Sequence, residues 1–106
     1  MTSWDIHPEA QRELEDAITH YLSIDEELAV SFDSHYEKYR SEITATPSLY
    51  SLRRGPVRRV NLTPRFGEHY IAYMIWKNKV VILAVAHAKR QPYYWRKRIG
   101  ESKDMF

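Results

Sequence analysis

The stretch Lys79–His87, "KVVILAVAH", constrains the fold of this chain more than any other. Between its polar ends every residue is apolar, on both of the faces that an extended backbone presents. Such a run reads as a strand at the centre of a sheet, covered above and below. Leu83 and Val85 are expected to be buried on opposite sides of it. The strand then enters "HAKRQP", which holds a histidine, a lysine, an arginine and a proline, followed by Tyr-Tyr-Trp. The charged cluster begins where the strand leaves the core.

A central strand needs partners and cover. "SWDIH" (Ser3–His7) alternates Trp4 and Ile6 and reads as a short first strand. Pro8 suits the first turn of a helix, where its missing N–H costs nothing. Ala10, Leu14, Ala17, Ile18, Tyr21 and Leu22 then recur at helical spacing, with Glu9, Glu13, Glu15 and Asp16 expected on the solvent side. A second helix begins near "SIDE", with Ser23 and Glu26 at capping-box spacing and Asp25 as the alternative cap. Its apolar face is Leu28, Phe32, Tyr36, Tyr39 and Ile43. Two helices joined by so few residues fold back as an antiparallel hairpin.

"TPSLYSLRRGP" reads as a connector. "VRRVNL" (Val57–Leu62) places Val57 and Arg59 on one side and Arg58, Val60 and Leu62 on the other. "HYIAYMIW" (His69–Trp76) is aromatic and β-branched, and the Asn-centred link "KNK" makes it a hairpin with the apolar strand. "QPYYWRKRIG" is expected to start a short terminal helix, with Pro92 near its first turn. The fold class is therefore α+β: a small β-α-α-β-β-β domain spanning residues 1–106. A helical hairpin packs on one face of a mostly antiparallel four-stranded sheet, followed by a short C-terminal helix.

A chain of 106 residues can bury one core without staples. It has no cysteine, which excludes disulfides and fits a reducing compartment. No charged-then-apolar leader opens it and no apolar run reaches membrane length, so a soluble, cytoplasmic protein without membrane contacts is expected. The net charge of +2 hides an asymmetry. Residues 1–52 carry three Lys+Arg against eleven Asp+Glu, a balance of −8; residues 53–106 carry thirteen against three, a balance of +10. Either the second half faces an anionic partner, or the two halves attract each other within the fold.

The element order, the early "PEAQRELEDAITHY" helix, the "RRVNL…RF…YIAYMIW" strands and the closing "VVILAVAHAKRQPYYW" resemble the RelE/ParE superfamily of bacterial toxins. The most specific part is a hydrophobic strand ending in His-x-x-Arg-x-Pro-x-Tyr-Trp, here His87, Arg90, Pro92, Tyr94 and Trp95. The resemblance implies a toxin of a type II toxin–antitoxin module, of the kind often called plasmid stabilisation proteins, blocked by a cognate antitoxin that wraps it. RelE-like members are ribosome-dependent mRNA endoribonucleases; ParE-like members inhibit DNA gyrase by binding it. The ending "AHAKRQPYYW" looks closer to the ParE-like side. The resemblance leaves a homodimer or a toxin–antitoxin hetero-oligomer open.

Cleavage of RNA through its 2′-hydroxyl needs a base, cations for the phosphorane and an acid for the leaving oxygen. Histidine suits the proton work and arginine the phosphate. His87, Arg90, Arg59, Arg65 and Tyr94 are the residues available for such a set. It is incomplete by the ribonuclease pattern: "YIAYMIW" has no arginine, unless Arg65 substitutes, and the chain does not close on His-Tyr. Bland readings stand beside these roles, namely a strand-end His87 bonded to backbone and an Arg90 paired with the acidic hairpin. A target- or antitoxin-binding surface would draw on Arg58, Arg59, Arg65, Lys89, Arg90, Tyr93, Tyr94, Arg96 and Arg98. Trp95 is read as closing the core. No cofactor is expected, and the histidines have no metal-ligand spacing. Three classes remain: a gyrase-binding toxin, which is favoured, a ribonuclease, and a plain nucleic-acid-binding module.

Overall fold

The computed structural model describes residues 2–106. Its elements are β1 (Trp4–Ile6), α1 (Pro8–Leu22), α2 (Glu26–Ala45), β2 (Leu52–Arg54), β3 (Val57–Leu62), β4 (Phe66–Trp76), β5 (Lys79–His87) and α3 (Arg98–Met105). The strands form one five-stranded sheet in the order β1-β5-β4-β3-β2. The chain starts at one edge, crosses a face as the helical hairpin, and reaches the far edge at β2. It then returns strand by strand until β5 lies parallel to β1.

The fifth strand corrects the expectation of four. Within the connector, Leu52–Arg54 turns through Gly55 and Pro56 to pair with β3. Gly55 has φ +54, as the first residue of a two-residue hairpin turn of this kind requires. The expected β4–β5 hairpin is present, and its turn residues Lys77 and Asn78 have φ of 52 and 61. At the other end, the terminal helix starts at Arg98 rather than near Pro92. Tyr93, at φ 59, is in the left-handed region and cannot continue a helical turn from Pro92.

α1 begins after His7, whose Nδ1 accepts the Glu9 backbone N–H at 3.0 Å. Of the two candidate caps of α2 it is Asp25 that serves, while the Ser23 hydroxyl donates to the His20 carbonyl. The two helices lay Ala10, Leu14, Phe32, Tyr36 and Ile43 on the sheet against Val60, Leu62, Ile71, Tyr73 and Ile82. Around Phe32 the rings of Tyr21 and Phe66 meet at centroid distances of 5.2 Å. Each such pair adds roughly 0.5–1.5 kcal/mol beyond area burial.

The opposite face of the sheet holds a second core of Val57, Tyr70, Met74, Val81, Leu83 and Trp95, covered by Tyr93, Tyr94, Ile99 and Phe106 of the C-terminal segment. Trp95 is 3% exposed, as a core-closing ring should be. Leu83 and Val85 do lie in different cores. Strict alternation would put residues two apart on one face. The register between β4 and β5 slips where Ile82 faces Tyr73 and Ala84 faces Ala72, so Leu83 and Ala84 share a face and the pattern inverts.

Candidate functional site

β1 pairs with β5 only as far as Ile82. Beyond it the outer edge of β5 has no strand beside it among the described residues, and two side chains take its place. Glu13 Oε1 accepts the Val85 N–H at 3.1 Å, and Arg98 Nη1 donates to the Leu83 carbonyl at 3.1 Å. The two side chains also bind each other twice, at 2.9 and 3.2 Å. Tyr94 Oη donates to Glu13 Oε2 at 2.5 Å, and Arg90 reaches the same oxygen at 3.4 Å while lying 3.8 Å over the Tyr94 ring. Burial, and then the Glu13 carboxylate, push the Tyr94 phenol well above the usual tyrosine range. Glu13 therefore does not face solvent as expected. It is the anchor that ties α1 to β5 and to the C-terminal segment.

Beside this anchor a cleft at the end of β5 is lined by His20, His69, His87, Arg90 and Tyr94. The Lys89 backbone N–H donates to His87 Nδ1 at 3.0 Å, which turns the Nε2 proton toward Glu68 at 3.3 Å. The ring of His69 lies edge-on to it at 4.8 Å and shares a 3.0 Å hydrogen bond with the Tyr21 hydroxyl. Burial, reinforced by His87, lowers the His69 pKa to about 4, so that ring is neutral at neutral pH.

His87, Arg90 and Tyr94 are thus brought together, each already engaged in holding the fold. Arg59 and Arg65 do not join them. Arg65 lies in the turn before β4 and donates to Ser31 of α2. Arg59 is on the opposite face of the sheet, its guanidinium 3.8 Å over the Tyr70 ring. Arg58 points to the helical side and donates to the Tyr50 carbonyl at 2.6 Å. Lys89 and Arg96 are exposed, whereas Arg98 is 8% exposed and committed to Glu13.

Cross-pairing of the two oppositely charged halves uses few of the thirteen cations: Lys79 meets Asp5, and Arg90 and Arg98 meet Glu13. The others lack a carboxylate partner within the second half too, among the described residues. Several gather along the rim of the second face, where Arg53, Arg59, Tyr70, Tyr93 and Trp95 surround a small pocket and Arg54 lies 4.6 Å over the Tyr93 ring. Arg53 and Arg54 were hidden in the apparent connector. Their signal was the Leu-Arg-Arg-Gly-Pro-Val order, a strand end and a glycine-first turn.

No helix of the described residues is long and apolar enough to cross a membrane. A family model described as ParE toxin of type II toxin-antitoxin system, parDE matches residues 5–92. That span takes in β1 from Asp5 onward, the other four strands and both long helices, and ends one residue before Tyr93. No curated protein matches the chain.

Proposed function

The chain belongs to the ParE toxin family of type II toxin–antitoxin systems, and from that premise we propose that it inhibits DNA gyrase by contact, does not cut RNA, and is neutralised by a cognate antitoxin. One observation carries the choice of binding over cleavage. The residues that a ribonuclease would need are scattered: Arg59 and Arg65 lie on opposite faces of the sheet, apart from His87, Arg90 and Tyr94 at the end of β5, which are spent on the fold. His87 has its Nδ1 occupied by a backbone N–H. Tyr94 donates its hydroxyl hydrogen bond to Glu13 and is held far from a pKa useful for acid catalysis at neutral pH. Losing a single preorganised donor typically costs an enzyme ~10²–10³ in rate. Contact inhibition makes no such demand. It needs a rigid surface, and the exposed Arg53, Arg54 and Arg96 around Tyr93 supply one that is basic and partly aromatic.

The test has two arms: supercoiling by purified gyrase with the protein added, and primer extension on mRNA from cells expressing it. Inhibited supercoiling and uncut mRNA are expected. His87→Ala should leave toxicity largely intact, and Arg54→Glu combined with Arg96→Glu should abolish it. Arg90→Glu is a poorer probe, because it would set a second carboxylate against Glu13. Unimpeded supercoiling together with codon-register cuts that vanish in His87→Ala would promote the ribonuclease instead.

A further inference from the structure

We propose that the pocket between β3 and the C-terminal segment is a receptor for one carboxylate, presented by an acidic polypeptide, and that Arg59 is the fork that takes it. The proposal deepens the toxin reading, from which it takes only the existence of an antitoxin-like partner.

Arg59 is fixed before any ligand arrives. Its guanidinium lies 3.8 Å over the Tyr70 ring, and its Nε donates to Asn61 Oδ1 at 3.2 Å. Asn61 is held in turn by its own donation to the Gly67 carbonyl at 3.0 Å. Tyr70 is steadied from the far side, where its hydroxyl accepts from Trp95 Nε1 at 3.0 Å. One edge and one face of the guanidinium are thus occupied. The two terminal nitrogens have no hydrogen-bond partner among the described residues, and no carboxylate forms an ion pair with Arg59. A half-buried guanidinium locked in plane with its outer edge open is the geometry that binds a carboxylate through two parallel bonds. Arg53 lines the same pocket with no acidic partner among the described residues and adds a second positive charge.

Size and the state of the rings select the ligand. The pocket holds about 70 Å³, room for a group of a few heavy atoms. Its walls include Val57, Pro92 and the Trp95 ring, which suit the short aliphatic stem of an Asp or Glu side chain. A polynucleotide gains affinity by stacking bases on exposed aromatic faces. Here Tyr70 and Trp95 are buried, at 3% exposure each, and Tyr93 is capped by Arg54. The site therefore offers a nucleic acid little beyond attraction for its phosphates, and offers an acidic peptide both a charge and a fitted cavity. Part of this cavity comes from Tyr93 and Trp95, which lie past the end of the family match.

The experiment uses the full chain and three fluorescein-labelled probes at physiological salt: a ten-residue peptide alternating Glu and Leu, its Gln-for-Glu counterpart, and a ten-nucleotide oligothymidylate. Anisotropy should show the Glu peptide bound more tightly than either control. Arg59→Lys keeps the charge and loses the fork, and should weaken that peptide about fivefold or more; Arg59→Gln should weaken it about tenfold or more. Arg65→Gln, on the other side of the sheet, should change it less than about twofold. As a reading that needs no variant, sodium acetate added to the wild-type protein should shift the Arg59 Nε–Hε resonance and leave that of Arg65 in place. Wild-type affinity in Arg59→Lys, equal binding of the Gln peptide, tighter binding of the oligonucleotide, or an unmoved Arg59 resonance would each overturn the proposal. Gyrase is absent from every arm, so the carboxylate receptor and the gyrase reading can fail separately.

Discussion

The helical hairpin and the C-terminal segment cover the same sheet by different means. The hairpin spreads its hold over two long helices and a ring cluster centred on Phe32, and no single polar contact decides whether it stays. The segment after β5 is short and irregular as far as Arg98; Trp95 seats it on the sheet, and three of its side chains, Arg90, Tyr94 and Arg98, converge on one carboxylate, Glu13. A distributed apolar cover is robust and featureless. A cover whose ionic hold is gathered along the β5 edge leaves its other margin open, and that margin is where the unpaired arginines and the pocket are found.

The sharpest way to break the comparison is Glu13→Ala. It would leave Arg98 buried without a counter-charge and strip the Val85 N–H of its acceptor. A loss of roughly 3–5 kcal/mol is expected, as when one partner of a buried pair is removed. Denaturant melts would measure it, and hydrogen exchange should show the added opening concentrated after His87 and not in the hairpin. Uniform opening of both covers would mean that Glu13 is not the pin.

Leu83→Ala tests the packing under the segment. Leu83 is 0% exposed and faces the second core, so the loss should be roughly 2–5 kcal/mol. A change below ~1 kcal/mol in the same melts would show a loosely packed second face.

The smallest expected effect belongs to the hairpin side and depends on pH. Burial keeps the folded pKa of His69 at about 4, with His87 adding to the depression and Glu68 opposing it. The unfolded chain takes up this proton below about pH 6.5, before the folded one does. Stability is therefore complete above that pH and falls as pH drops toward 4, by roughly 2 kcal/mol at pH 4.5. His69→Gln should lose less than wild type between pH 7 and 4.5, by about that amount. Parallel losses would assign the sensitivity to other groups.

What was legible in the sequence follows the same division. β3 and both long helices announced themselves by period and β5 by an unbroken apolar run, and their boundaries hold. β2 did not, because Leu52, Arg53 and Arg54 are all exposed and are a strand only through what they pair with. β4 begins at Phe66, before the aromatic run that marks it. Among the candidate site residues, the sequence could place Arg59 beside Val57 and opposite Arg58, which is how they sit. It offered an Arg90 paired with the acidic hairpin, as Glu13 now shows, but not that Tyr94 and Arg98 converge on the same residue. A hint existed: Glu13 stands between Ala10 and Ala17 at helical spacing, on the border of the buried stripe. Residue type pointed to water, and position pointed inward. The acceptor-hungry edge of β5 decided for position.

The plug at that edge also bears on how copies of the protein behave toward one another. A strand with a bare N–H and a bare carbonyl is a template for the next strand that drifts past, and growth along such a template has no natural end. Glu13 and Arg98 occupy the Val85 N–H and the Leu83 carbonyl with charged groups that no neighbouring chain can extend. The ion pair that fastens the C-terminal segment is in this sense also a guard against filament growth.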